Sequence, residues 1–593
     1  MTNEKTNPLP YRAAAEAGLP EIREPVITPD DVARGTQLLR RYKDGKRALE
    51  ARIIADEQWY RLRHWQYLRD RRREQGADVV EPTSAWLFNA IVSKHADAMD
   101  SFPEAVILPR SEQDEPDAKA LSAIVPTVLE KTHFEQVWSD AWWYKLKHGC
   151  AAYGVFWDSA GSGGLGDVAV RQLDLLNLFW EPGVTDIQDS PHFFSTELQD
   201  REALEERYPW AKGKADRGGW SVSRYLYDDA VDTSGKVLVV DWYYHTRENG
   251  RKVLQYCKFV GDTVLYATEN DPDMREKGWY DHGKFPFVFD VLFPEEGTPA
   301  GYGYVDLCKS PQKQIDLMNQ AILKNTLASA TPRFFVRSDG AVNENEYADW
   351  TRPFVHTNGN LGSDSIAPIQ TAGLDSVYVA ILQSKIAEMK ETAGNRDVAN
   401  GGTAGGVTAA TAIAALQEAG GKLSRNMIDD GYEAFSDVVT LCIELIRQFY
   451  SLPRQFRLLG AMGREEFVTY DSRGLQPQAV DDGVIAGYRV PEFDLEVSAQ
   501  DENPYKTMEY NQLALQLFQM GFFRADMADQ ALRCLELMDF KNKDQLMSSI
   551  LQGQAAAMER QPVQPGSAAG AEVRPVSAMD QMRRQTQEAV RPR

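Results

Sequence analysis

The sequence predicts an α+β fold, mostly helical, with its strands concentrated in the first 300 residues and in a segment after residue 450. Apolar residues recur at helical spacing through long stretches such as Phe134–His148 and Leu374–Gly394. Between Cys150 and Phe293 the pattern changes to short β-branched and aromatic runs separated by Gly, Asp and Asn. At 593 residues the chain is long enough for several domains and at least one sizeable core.

The elements follow in order. The first thirty residues are rich in Pro and Ala and read as an extended arm. Asp31, two residues after Pro29, is a candidate cap for a long helix reaching about Gln75. From Arg34 to Gln75 the chain carries thirteen Lys/Arg against six Asp/Glu, mixed with Trp59, Tyr60, His64, Trp65 and Tyr67. Basic and aromatic residues together can bind nucleic acid. The simpler reading is a helix whose Trp and Leu face packs inward while its arginines stay solvated. Helices are expected at Ser84–Met99, Asp117–Lys131 and Phe134–His148, the last with a core stripe of Trp138, Trp142, Trp143 and Leu146.

Gly161, Gly163 and Gly166 match the spacing of a dinucleotide-binding loop, but a strand-like run, "DVAVRQLD", follows where that loop requires a helix. The segment therefore reads as a β-hairpin. Strand-like runs continue to "FPFVFDVLF", broken by the short helix "DREALEERYPW". A helix is expected from Ser310, with Ser310 as cap and Pro311 in its first turn. Ile315, Met318 and Ile322 give it one apolar face, and Gln312, Asp316, Asn319 and Gln320 make the rest polar. After a short segment of strands and an acidic turn, "NENEYADW", a second helix begins at Leu374. A glycine-rich loop then leads into a long helix, about Thr408 to Tyr450, with Gly420 and Gly421 as a natural kink. Residues 451–503 read as β-rich, residues 504–552 as short amphipathic helices, and the Pro-, Gln- and Ala-rich remainder as disordered.

Composition narrows the chemistry. The net charge of −22 argues against a conventional DNA-binding face. No apolar run approaches the roughly 18–20 residues that span a bilayer, so no membrane partner is expected. The five cysteines lie far apart without a CxxC pair, which points to free thiols in a reducing compartment. The glycine-rich loop lacks the Gly-Lys-Ser/Thr of a phosphate loop, and neither HExxH nor GxSxG occurs. The eight histidines have no metal-ligand spacing and read as structural or exposed. No catalytic residue, cofactor or metal site is expected, and the chain is not expected to be an enzyme.

Five stretches in a fixed order carry a resemblance: "EQWYRLRHW", "SAWLFNAIVSKHADAMDSFPEAVILPR", "DLLNLFWEPGVTDIQDS", "GYGYVDLCKSPQKQIDLMNQAILKN" and "GNRDVANGGTAGGVTAATAIAALQEAGGKLSRN". Through them the chain resembles the portal proteins of tailed bacteriophages, most closely the larger portals of short-tailed phages and related prophages. The resemblance implies a ring, typically of twelve subunits, at one capsid vertex of the virion, assembled in the host cytoplasm. It implies an arm (1–30), a wing (31–300), two stem helices (301–330 and 374–394) flanking a small αβ clip (331–373), and a tunnel loop (395–407). A long kinked wing helix (408–450), a wing β segment (451–503), a helical crown (504–552) and a tail (553–593) would complete the subunit.

The same resemblance implies that double-stranded DNA passes through the channel without sequence recognition. Asn395, Arg396, Asp397, Asn400, Thr403 and Thr408 would line or flank its narrow point. Lys385 and Lys390 are candidate channel residues on the second stem helix, or members of salt bridges there. The clip would dock the terminase and then head–tail adaptor proteins, with Glu344, Glu346, Asp349, Trp350 and Arg352 as candidate contacts. Major capsid or scaffolding protein is a further implied partner. The alternatives are another virion ring component, such as a head–tail adaptor, and a nucleic-acid-processing enzyme using the basic segment.

Overall fold

Thr28 starts the first helix. In the computed structural model, helix α1 (Pro29–Tyr60) begins with the Asp31 carboxylate accepting from the Thr28 amide at 3.0 Å and from its hydroxyl at 2.7 Å. Asp31 thus reaches back to the cap rather than being the cap, and these bonds hold its carboxyl below its ordinary range. The structure describes residues 26–68, 80–214, 221–226, 233–248, 250–330, 334–336, 343–349, 353–354, 356, 366–368, 375–394, 422–459, 465–481 and 486–499, with four isolated helical positions beyond residue 500. The chain divides into two units, residues 1–500 and 501–593. Leu532, Leu535, Met547 and Ile550 are the described residues of the second, all helical. The expected glycine-rich loop, the Gly420-Gly421 kink and most of residues 504–552 lie outside the described residues.

Helix α1 ends at Tyr60, well short of the expected Gln75. Leu62 takes a left-handed conformation (φ 59°), and the chain turns before the single helical turn α2 (Trp65–Leu68). The turn buries His64 completely and stacks its ring on Trp59 at 4.6 Å. Helices α3 (Trp86–Met99), α4 (Glu115–Lys131) and α5 (Phe134–His148) follow the expected periodicity, with strand β1 (Pro103–Pro109) between the first two.

Strands β2 (Cys150–Asp158) and β3 (Asp167–Leu173) form the expected hairpin, and β9 (Phe287–Val291) pairs on the other side of β2, giving the order β3-β2-β9. The Gly161, Gly163 and Gly166 spacing falls at the hairpin tip, in the distorted turn α6 (Gly161–Gly164), and leads into β3. No long helix follows to present its N-terminus to a phosphate. A five-stranded antiparallel sheet runs β4 (Leu178–Trp180), β5 (His192–Asp200), β6 (Lys236–Glu248), β7 (Arg251–Val260) and β8 (Thr263–Ala267), with α7 (Arg201–Arg207) after β5. The first half of α1 packs on it through Val32, Leu39 and Tyr42, against Phe194 and Trp242.

Strands β10 (Phe293–Glu295) and β11 (Thr298–Tyr302) make a small ladder that leads into helix α8 (Tyr304–Ala330). This helix starts two turns before the expected Ser310 cap and takes Pro311 into its interior. Burial of Tyr304, Val305 and Cys308 offsets the hydrogen bond that proline removes. Farther along, β12 (Phe334–Val336) pairs with β13 (Ile366–Pro368), and the expected acidic turn is the short helix α9 (Glu344–Ala348). Helix α10 (Ser376–Thr392) is capped by Asp375, whose carboxylate accepts from the Val377 amide at 3.4 Å.

Helix α11 (Lys422–Phe449) lies across β2, β9 and the ladder of β1 with β18 (Phe493–Ala499). The hairpins β14 (Arg454–Leu459) with β15 (Glu465–Tyr470) and β16 (Gln478–Asp481) with β17 (Ala486–Arg489) complete the expected β-rich segment. Where α5 meets α11 the core is aromatic: Phe134, Trp138 and Trp142 pack with Phe435 and Tyr153. Inside it, the ammonium of the fully buried Lys145 meets Asp290 of β9 at 2.5 Å and lies 4.5 Å from the Trp142 ring centre. Burial pushes the Asp290 carboxyl up, and Lys145 opposes that shift. Removing one partner leaves an uncompensated buried charge, which typically costs about 3–5 kcal/mol. Lys145→Met is expected to lower the chemical denaturation midpoint sharply, while the paired change Lys145→Met with Asp290→Leu recovers much of the loss.

Candidate paired-helix and docking site

Helix α8 is buried at its start and exposed at its end, which singles it out. Tyr304, Val305, Cys308, Ile315 and Asp316 are buried, whereas Leu317 and Leu327 are 39% and 45% exposed. In the sequence Gln312, Asp316, Asn319 and Gln320 form the polar part of this helix. The structure turns this polar stripe toward the segment around Ser84. Gln312 accepts from the Leu87 amide at 3.1 Å and donates to the Ser84 carbonyl at 2.9 Å. Asn319 donates to the Ser84 hydroxyl at 2.9 Å, and Gln320 to the Val80 carbonyl at 3.0 Å. The reason is backbone satisfaction. The first turn of α3 has free amides and no side-chain cap from Ala85, and Gln312 supplies the missing acceptor.

Backbone packing fixes where α8 begins. Gly149 closes α5 at φ 88°, and a Cβ there would lie 2.2 Å from the Tyr302 carbonyl carbon. A Cβ on Gly303 would lie 2.6 Å from the Lys147 carbonyl oxygen. Glycine at both positions lets the start of α8 sit directly on the end of α5.

Beside this contact runs a half-buried ionic chain that links α1, α8 and the end of β10, with only Asp56 fully buried. Arg52 meets Glu295 at 3.1 Å and Asp306 at 3.7 Å, Lys309 meets Asp306 at 3.1 Å, and Lys309 also pairs with Asp56. Burial and the neighbouring Asp306 push the Asp56 carboxyl up to about 7, although Lys309 opposes the shift. On α5, Lys147 pairs with Glu57 at 2.6 Å. Burial, with Lys147 beside it, holds His148 well below the usual imidazole value, and neither of its ring nitrogens has a hydrogen-bond partner among the described residues.

Helix α10 returns antiparallel to α8. Its first half is exposed, with Val377 at 53% and Tyr378 at 48%, and its end is buried at Met389 and Ala393. Both buried ends meet α3: Gln312 of α8 caps it, and the Lys390 ammonium of α10 lies 5.7 Å from the Trp86 ring centre. Lys385 pairs with Glu388 at 2.7 Å. Both lysines singled out in the sequence therefore have contacts within their own chain.

At the far end of the pair, Asn343 caps α9 by accepting from the Glu346 amide at 3.4 Å. The Glu346 carboxylate accepts from the His356 amide at 2.7 Å and lies 2.8 Å from its Nδ1. Glu344 lies on α9, and Asp349 follows it, its amide bonded to the Glu346 carbonyl at 3.3 Å. Trp350 and Arg352 lie outside the described residues, as do Asn395, Arg396, Asp397, Asn400, Thr403 and Thr408. The Glu346–His356 contact escaped sequence reasoning, because a ten-residue separation leaves no periodic signal.

Among the described residues no group of His, Cys, Asp and Glu is arranged to hold a metal ion, and no helix is long and apolar enough to cross a membrane. The four described cysteines, Cys150, Cys257, Cys308 and Cys442, are free and buried. What the architecture defines is a mixed α/β body from which an antiparallel helix pair runs out to a small αβ element and back. The sequence matches the family of phage P22-like portal proteins over residues 53–591, from within α1 nearly to the C-terminus, and the chain belongs to that family. It is a phage portal protein, a component of the virion capsid, in a family that is structural rather than enzymatic. No curated protein is detectably similar in sequence.

The raised Asp56 carboxyl gives the α1–α8 contact a pH dependence. The folded chain keeps this proton up to about pH 7, whereas an unfolded Asp releases it near 3.8. Its contribution to stability is therefore full below about 4 and is lost as pH rises toward 7. Thermal melting from about pH 5 to 7.5 is expected to show a shallower decline for Asp56→Asn than for the parent chain.

Proposed function

We propose that twelve copies of this chain close into a ring at one capsid vertex and form the channel through which duplex DNA enters and leaves the head. The match to the portal family carries this reading, since it spans the body and the whole helix pair. In that ring α8 and α10 are the stem helices, the β12–β13 ladder with α9 belongs to the clip, and α11 continues from a tunnel loop at 395–407. Residues 504–552 form the crown. The clip docks the terminase during packaging and then head-completion and adaptor proteins, with Glu344, Asp349, Trp350 and Arg352 among the contacting residues.

The exposed apolar side chains support neighbouring copies around the stem. Val377, Tyr378, Val379 and Ile381 lie within little more than the first turn of α10 and are all more than two-fifths exposed in the single chain. An apolar surface of this kind marks an interaction site. The acidic balance of the chain suits a channel that must not hold the duplex, because phosphate contacts dominate DNA affinity. Asn395, Asn400, Thr403 and Thr408 offer only weak polar contacts, and Arg396 beside Asp397 nearly cancels in charge. Lys385 and Lys390 add basic rings only where their contacts to Glu388 and Trp86 open.

Native mass spectrometry tests the ring. Twelve copies of 66.7 kDa give roughly 0.8 MDa, and a compact dimer that cleaves DNA would overturn the proposal. Ile381→Asp, placed on an exposed face, is expected to leave the subunit folded by circular dichroism while shifting the mass distribution toward monomer.

A further inference from the structure

A cavity of about 230 Å³ opens where the start of β1 meets α4 and the first turn of α5. The rings of Phe102, Phe134 and Phe435 line it, the first two with centroids 6.2 Å apart and the last two 5.4 Å apart. Three exposed carboxylates, Glu104, Glu130 and Glu135, stand in the same lining, and no Lys, Arg or His is part of it. Among the described residues none of these three side chains has a hydrogen-bond or ion-pair partner.

Such a lining selects its occupant by charge and shape. Aromatic faces attract cations, and unpaired carboxylates add the complementary charge. Arginine meets both demands, because its planar guanidinium stacks on a ring while its N–H groups donate in pairs to a carboxylate. The surface beside the cavity suits a peptide rather than a small free cation. Glu104, Val106 and Leu108 share one face of β1, and the two apolar side chains are 44% and 41% exposed, opposite Glu496 and Asp494 of β18.

The chain itself contains the complement. Arg69, Arg71, Arg72 and Arg73 put four cations into five residues, the densest positive run in a sequence of net charge −22. The portal reading gives this run no role, and it lies outside the described residues. Its flanks are held at the start of α3, where the Trp65 indole donates to the Pro82 carbonyl at 3.0 Å and the Gln320 side chain to the Val80 carbonyl at 3.0 Å. The cavity lies past the other end of α3, a helix of 14 residues and roughly 21 Å. From Leu68 to Val80 the chain spans at most about 42 Å when fully drawn out, and the path to the cavity and back would consume all of it. The run of the same subunit is left no slack, which makes a second copy the source.

We infer that the arginine run of one subunit docks in the Phe102–Phe134–Phe435 cavity of a neighbouring copy and pairs there with Glu104, Glu130 and Glu135. The inference rests on the ring proposed above and adds to it a contact between the bodies of adjacent subunits.

Two full-length variants test it. One reverses the rim of the cavity (Glu130→Arg with Glu135→Arg), and the other reverses the run (Arg71→Glu, Arg72→Glu and Arg73→Glu). By native mass spectrometry the assembled species is expected to fall about tenfold for each variant alone. An equimolar mixture is expected to regain it with both variants in one ring, because each reversed run then meets a reversed rim. Undiminished assembly of either variant alone overturns the inference, and so does recovery only when both sets of changes sit in one chain. A fluorescein-labelled peptide of residues 66–76, titrated onto the run-reversed chain, separates the docking from the ring. Adding the rim reversal is expected to weaken its binding about tenfold, whereas Glu202→Arg with Glu206→Arg on α7 leaves it unchanged. Peptide binding indifferent to the rim overturns the docking even in a chain that forms rings. Rim-dependent binding in a chain that stays monomeric upholds the docking and overturns the ring.

Discussion

The course of the paired helices α8 and α10 depends on how the first turns of α8 are held. A helix that must leave the body cannot be fixed by apolar packing alone, because such packing is non-directional and tolerates rotation about the axis. Here Gln312, Asp316, Asn319 and Gln320, spaced along one stripe, bond to backbone and side-chain groups of residues 80–87. Hydrogen bonds constrain angle as well as distance, so this stripe fixes the rotation of α8. The opposite side is fixed by Tyr304, Cys308 and Ile315 in the core and by the glycine contact with the end of α5. A rotation error at the root would turn every outward side chain of both paired helices.

The helices and hairpins could be read from the sequence wherever a single periodicity dominates. Trp138, Trp142 and Leu146 recur at helical spacing and are fully buried. The hairpin of β2 and β3 was legible because a strand, not a helix, follows Gly166. The misreadings have a common cause, which is that sequence patterning does not see the burial that distant partners supply. Ser310 and Pro311 look like a helix start, yet burial of Tyr304 and Val305 extends the helix past them. Gln312 and Asp316 read only as polar positions, and they serve amides at the start of another helix more than two hundred residues earlier in the chain. Partners at such separations leave no local trace, and the same holds for the ladder between β1 and β18.

The candidate site was legible as an order of elements rather than as side-chain roles. The helix, small αβ element and second helix appear where the pattern placed them, and the family match covers all three. The lysines on α10 show why roles did not follow. From periodicity alone Lys385 and Lys390 are two cations on one helix. Their partners, Glu388 one turn away and Trp86 on another element, appear only after packing.

The charges at the α1–α8 contact also bear on how a portal subunit is built. Of the groups gathered there, Asp56 is pushed toward its neutral form by burial, and His148 is held neutral for the same reason. Burying such groups costs stability that apolar side chains of similar size would not, so their presence points away from a contact selected for rigidity alone. Polar contacts can exchange partners, whereas a close-packed apolar seam must open against the full cost of exposing its surface. The body of this subunit shows the second kind of seam, the aromatic core between α5 and α11. The root of α8 shows the first. The two contacts therefore differ in chemistry: an aromatic seam joins α5 to α11, while hydrogen bonds and ion pairs beside an apolar anchor hold the root of α8.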